Sequence, residues 1–155
     1  MEEEEIEQEM YIEKYPKPIS IEDMKIILNQ MENNVCKIYR DDEIGEKGTG
    51  FFCIIKYNKI KIPVMMTNNH IIDEKYLKEK KTITISLKDY SEIKSIHLNN
   101  DRIIYTNKEY DITIIEIKKE EDKIENFMEI DEIIYKKDSN ILYKKQSIYY
   151  PISIK

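Results

Sequence analysis

The sequence predicts a mainly β chain, a small antiparallel barrel or sandwich preceded by one amphipathic helix. Three observations carry this. From Val35 onward, short runs rich in Ile, Val, Phe, Tyr and Thr are broken by charged or Asn-containing turns. Two of these runs, Thr82–Leu87 and Asp111–Ile117, alternate apolar and polar residues, the period-two pattern of a strand with one face buried. Ahead of them, Ile21, Met24, Ile27, Leu28 and Met31 recur at helical spacing.

Taken in order, residues 1–18 form an acidic tail whose like charges repel, with Pro16 and Pro18 breaking regular structure, and disorder is expected there. Residues 19–33 form the helix, with Ser20 and Asp23 as a capping arrangement. Its apolar stripe is expected to pack on the domain, the alternative being a docking helix for a partner. Strands are expected at 34–40, 49–57, 60–67, 82–88, 93–98, 102–106 and 111–118. Closely spaced short strands of this kind favour the barrel or sandwich. Residues 119–139 read as a linker anchored by Ile124, Phe127, Met128 and Ile130, and Ile141–Lys155 offers one or two more strands.

With 155 residues the chain suits one domain with a real core. Hydrophobic residues at 41% and charged ones at 36% exclude the disordered class. A formal net charge of -6 argues against nucleic-acid or anionic-membrane partners, the local basic stretch Lys78–Lys81 notwithstanding. The chain lacks Ala and Trp and is crowded with Ile, Lys, Glu and Asn, so Lys/Glu runs at 74–81 and 118–125, and Arg102 with them, read as solvated faces. Departures from that background carry more information. All three glycines, Gly45, Gly48 and Gly50, lie in one short segment.

The start, Met1–Glu2–Glu3–Glu4–Glu5, is unlike a signal peptide. No apolar run approaches the roughly 18–20 residues of a membrane span; the best are Ile62–Met66 and Ile112–Ile117. A cytoplasmic location is expected. Cys36 and Cys53, without a CxxC arrangement, read as two reduced, half-buried thiols. A zinc site from Cys36, Cys53, His70 and His97 is disfavoured by their irregular separations, and no cofactor is expected. His97, between Ile96 and Leu98, reads as a solvated or backbone-bonded residue.

His70 is the position where chemistry concentrates. The run Pro63–Thr67 leads directly into Asn68–Asn69–His70–Ile71–Ile72. The end of a rigid strand entering a short turn both fixes an imidazole and presents it to a cleft, as a general base requires. Such a base needs a buried carboxylate to hold its tautomer, and Asp111, where a strand enters the core, is the natural candidate. The alternatives are a backbone-bonded turn histidine and a carboxylate that caps a turn.

At these residues the sequence resembles the trypsin-like (chymotrypsin-fold) serine peptidases, in particular the broad branch that includes the HtrA-type enzymes. Gly48–Thr49–Gly50–Phe51–Phe52 is similar to the family's Gly-Ser/Thr-Gly-Phe strand. Thr67–Asn68–Asn69–His70–Ile71–Ile72 resembles its Thr-x-x-His-Val/Ile segment, and Asp111–Ile117 its Asp-Ile/Leu-Ala-hydrophobic segment. The resemblance runs from about Val35 to Ile117, and more loosely to Tyr150. It implies that residues 34–118 are the first, six-stranded barrel of the fold, that 119–155 hold a linker and the first strands of an incomplete second barrel, and that His70 is the base and Asp111 its orienting carboxylate.

The departure is equally plain. In the family the nucleophile sits in a Gly-x-Ser-Gly context, with backbone N–H groups forming the oxyanion hole. No glycine follows Gly50, and Ser86, Ser91, Ser95, Ser139, Ser147 and Ser153 lack that context. The expectation is a serine peptidase homologue, truncated and inactive in this form, whose partners are a polypeptide substrate or another protein. The alternative is a non-catalytic binding module on the half-barrel, with self-association through an uncovered barrel face.

Overall fold

A computed structural model describes residues 18–40, 47–88 and 91–130. The expected disordered tail, except its last residue, and the expected strands within 141–155 lie outside the described residues. The chain divides into two units, Lys25–Ile130 and a second made of Met1–Met24 with Asp131–Lys155. Of the second, residues 18–24 are described, and they begin helix α1 (Ile21–Asn34).

The start of α1 is capped as the sequence indicates. Ser20 Oγ accepts the Asp23 N–H at 3.0 Å and donates to Asp23 Oδ2 at 2.6 Å, satisfying a backbone donor that the helix itself leaves open. Of the apolar stripe, Ile27 and Met31 are half-buried. Ile21 and Ile26 are 75% and 57% exposed, Met24 and Leu28 are about half exposed, and only the terminal Asn34 is buried.

The rest is mainly β. The strands are β1 (Val35–Tyr39), β2 (Lys47–Tyr57), β3 (Ile60–Thr67), β4 (Thr82–Leu87), β5 (Glu92–His97), β6 (Ile104–Asn107), β7 (Ile112–Glu116) and the short β8 (Met128–Glu129). They form one sheet in the order β5-β4-β1-β2-β3-β7-β6, antiparallel throughout, while β8 pairs parallel with β2. The two ends of this path, β5 and β6, are consecutive in the chain and joined by residues 98–103. The sheet therefore curls into a half-barrel, open along the seam between its ends. The sequence places strands close to these positions, and the 60–67 boundaries coincide with β3.

Alternation sends one side chain in two into the curl. Ile38 pairs with Ile85, Ile83 with Ile96, Phe52 with Met65, and Met65 with Ile115, and all of these are buried. Fully burying each such side chain contributes roughly 1.5–3 kcal/mol. The β2–β3 turn, Asn58–Lys59, has positive φ at both residues, the geometry that suits the twist of a two-residue hairpin. With no glycine after Gly50, left-handed backbone is taken up by Asn58, Lys59, Lys88, Asp111 and Lys123.

Three elements depart from the sequence reading. The Lys/Glu text at 74–81 contains helix α2 (Glu74–Glu79), whose Asp73 cap accepts the Tyr76 N–H at 2.7 Å and whose Tyr76 is buried in the core. The linker contains helix α3 (Lys119–Asp122) as well as β8. Arg102 is not on a solvated face. Its side chain and that of Asp122 are both fully buried, with Nη1 2.7 Å from Asp122 Oδ2 and Nη2 3.1 Å from Oδ1.

The linker anchors behave as expected at Ile124, which is buried, and Phe127, which meets Phe52 edge-on at 6.2 Å. With its amide turned so that the oxygen faces the linker, Asn34 accepts from the N–H groups of Met128 (2.8 Å) and Phe127 (3.2 Å). Cys36 and Cys53 are free thiols, and both are fully rather than half buried. Burial pushes them up to about 12 and about 11, so both are protonated at neutral pH. Among the described residues no helix is long and apolar enough to cross a membrane.

Candidate functional site

The described site lies where β3 ends and β7 begins. After Thr67 the chain makes a tight turn in which the Asn68 carbonyl accepts the N–H groups of Ile71 and Ile72, each at 3.2 Å. Ile71 and Ile72 then enter the core, and α2 follows at once. His70 thus sits on the outer side of a turn whose far limb is held by apolar burial, and its ring is 65% exposed. Arg40, at the end of β1, approaches the His70 carbonyl at 3.5 Å.

The glycine segment explains itself at this turn. A Cβ on Gly48 would lie 2.4 Å from Cγ2 of Ile71, a β-branched side chain with little rotameric freedom to move away. The bare backbone of β2 lets the His70 turn seat against it. At Gly50 a Cβ would stand 3.0 Å from Ile38 Cδ1 and 3.2 Å from Cys36 Sγ, so the second glycine keeps the β1–β2 contact close.

Asp111 closes the turn between β6 and β7 in left-handed conformation, φ 49°. Its carboxylate meets His70 twice: Oδ1 accepts the His70 backbone N–H at 2.9 Å, and Oδ2 lies 2.7 Å from Nδ1. Asn68 Nδ2 also donates to Oδ2, at 3.1 Å. These donors hold the Asp111 carboxyl below the usual carboxylate range, the His70 backbone N–H being the largest cause, followed by the His70 ring. The sign follows. Asp111 favours the fold above the ordinary carboxylate range, and that contribution is lost as pH falls through its lowered value. An ionised carboxylate can only accept, so Nδ1 carries the proton of a neutral His70 ring and Nε2 presents its lone pair outward.

The two residues named from sequence therefore stand in contact. The expected burial of the carboxylate is not observed: the Asp111 side chain is 45% exposed, in the turn between β6 and β7 rather than on a strand facing the core. Residues that sequence reasoning missed complete the frame. Asn69 Nδ2 donates to Thr106 Oγ1 at 2.6 Å, Thr106 and Thr113 hydroxyls share a 2.8 Å hydrogen bond, and Thr113 Oγ1 donates to the Ile72 carbonyl at 2.6 Å. This relay ties the His70 turn to β6 and β7 through the fully buried Thr113. Thr67 Oγ1 donates to the Thr49 carbonyl at 2.9 Å and joins the turn to β2.

Other candidates lie apart. His97 is an exposed residue opposite Thr82 on β5. Among the described residues no group of three His, Cys, Asp or Glu stands where it could hold a metal ion. Ser86 bonds to the Tyr39 hydroxyl at 3.1 Å and Ser91 to the Lys88 carbonyl at 2.8 Å, and among the described residues no serine is bonded to the His70 ring. Ser139, Ser147 and Ser153 lie outside the described residues. The arrangement is an imidazole whose Nδ1 faces a carboxylate, with no serine among the described residues bonded to it. Comparison with family models, with curated proteins and with solved structures finds no match to this chain.

Proposed function

We propose that the chain is a trypsin-like serine peptidase homologue carrying the base half of an acyl-transfer site. One observation supports the reading above the others: the double contact of Asp111 with the backbone N–H and the Nδ1 of His70. With a serine hydroxyl placed against Nε2, His70 would take its proton as the oxygen attacked a peptide carbonyl, then return that proton to the leaving amine. Asp111 would stabilise the imidazolium in between. The nucleophile and the oxyanion hole would come from outside these 155 residues, since no Gly-x-Ser-Gly segment occurs in them. The two buried free thiols fit a reducing, cytoplasmic setting.

Two measurements test this. In the 155-residue chain the neutral His70 ring is expected to carry its proton on Nδ1, read from long-range 1H–15N correlations; a proton on Nε2 would contradict the base role. A serine-directed fluorophosphonate probe is expected to leave the chain unlabelled. Labelling that His70→Ala abolishes would place a nucleophile within the chain.

A binding module is the second reading, favoured by a specific feature of the outer sheet face. Val35, Phe51, Met66, Ile114 and Tyr105 face one another in register across β1, β2, β3, β7 and β6, with Phe51 38% and Tyr105 50% exposed. An apolar row one residue pair from the His70 turn suits a second copy of the chain. Sedimentation velocity is expected to show concentration-dependent dimers that Phe51→Glu dissociates. A monodisperse monomer at high concentration would count against it.

A further inference from the structure

We propose that Asn68 is a positioning residue that locks the Asp111–His70 pair to the frame of the sheet, an inference that rests on the base role of His70 proposed above. Two of the three hydrogen bonds to the Asp111 carboxylate come from His70 itself, one from its backbone and one from its ring. Those two fix the carboxylate relative to the histidine. Neither of them restrains the main chain of Asp111, which lies in the turn just before β7.

The Asn68 amide supplies that restraint. Its Nδ2 donates to Asp111 Oδ2 at 3.1 Å and also reaches the main-chain carbonyl of the same residue at 3.3 Å. One side chain thus holds both the carboxylate and the backbone of Asp111. The backbone contact matters because left-handed conformation is disfavoured for a residue with a Cβ, and a partner for the carbonyl offsets part of that cost.

The backbone of Asn68 is held in place. It follows β3 directly, and its carbonyl accepts the N–H groups of Ile71 and Ile72, both buried. It forms a short arm from the end of β3 to the residue just before β7. Acceptors on both bonded atoms of Asp111 require the NH2 side of the amide there, so an isosteric carboxylate cannot replace it.

The test uses the full 155-residue chain labelled with 15N, with His97, the only other histidine, as internal reference. Asn68→Ala and the isosteric Asn68→Asp are compared with the unaltered chain in alkaline buffer. Both variants are expected to convert the His70 ring from the Nδ1–H form to a mixture of tautomers. Both are expected to speed exchange of the His70 amide about tenfold, the loss of one well-made hydrogen bond, with the Met65 and Ile115 amides unchanged. If both variants keep the Nδ1–H form and the original exchange rate, Asn68 does not position the pair. A uniform rise in exchange across the sheet would mean that Asn68 merely stabilises the fold, and would overturn the proposal as well. An Nε2–H ring in the unaltered chain would instead remove the base role and this inference with it.

Discussion

Replacing Asp122 with alanine is expected to lower the unfolding free energy by about 3–5 kcal/mol, a large part of the stability of an ordinary domain. The reason is the state in which it leaves Arg102. Nη1 of that guanidinium also donates to the Glu116 carbonyl at 2.6 Å, and Asp122 Oδ2 accepts the Lys118 N–H at 2.8 Å besides the two guanidinium bonds. Nε of Arg102 has no partner among the described residues, so the cation already carries some desolvation cost. Without Asp122 its charge stays buried, with the partly exposed Glu121 as its remaining acidic neighbour among the described residues, 3.7 Å from Nη2. Urea unfolding followed by circular dichroism measures the change, and a loss below about 1 kcal/mol would show that water reaches the guanidinium. The double variant Arg102→Met with Asp122→Leu is expected to recover most of the loss, since a well-packed apolar pair avoids both desolvation costs.

Phe52→Ala is the second large effect, about 3–5 kcal/mol for an aromatic side chain removed from a closed core. Phe52 is fully buried on β2, opposite Met65, and its ring meets Phe127 at an interplanar angle of 79°. Phe127→Ala alone is expected to cost less, because that residue is only partly buried. A double-mutant cycle separates the ring pair from general burial: coupling of about 0.5–1.5 kcal/mol is expected for an edge-to-face pair. Additive losses would mean that the linker does not pack on β2 through these rings in solution.

The strands were legible because period-two alternation survives in a Lys- and Ile-rich composition: Thr82–Leu87 reads correctly from its residues alone. The composition hid what it had in abundance. Asp122 lies in the run Lys118–Lys119–Glu120–Glu121–Asp122, where nothing local distinguishes the one buried acid from its solvated neighbours. Helix α2 left a usable signal, an Asp73 cap three residues before Tyr76 and Leu77, obscured by the surrounding lysines. The stripe of α1 has the right spacing, but among the described residues only Ile27 and Met31 of it are half-buried, since periodicity reports which face is apolar and not what meets it.

At the site, His70 and Asp111 stood out because His is rare here and the flanking segments carry pattern. Asn68, Asn69, Thr106 and Thr113 did not. Their roles depend on which turns the sheet brings together, and asparagine is part of the background. The exposure of Asp111 was equally hidden, being set by how the β6–β7 turn is placed in the fold.

The order of the sheet also sets when the site can come into being. The β2–β3, β4–β5 and β6–β7 pairs join neighbours along the chain, whereas Ile38 with Ile85 and Met65 with Ile115 join residues about fifty positions apart. Closing such long intervals costs chain entropy before the core rewards it, which places the chain among domains that fold in milliseconds to seconds. His70 follows β3 and Asp111 precedes β7, so no single hairpin contains both. They meet only once β3 and β7 have paired, and during refolding the contact between them reports the joining of the two halves of the sheet.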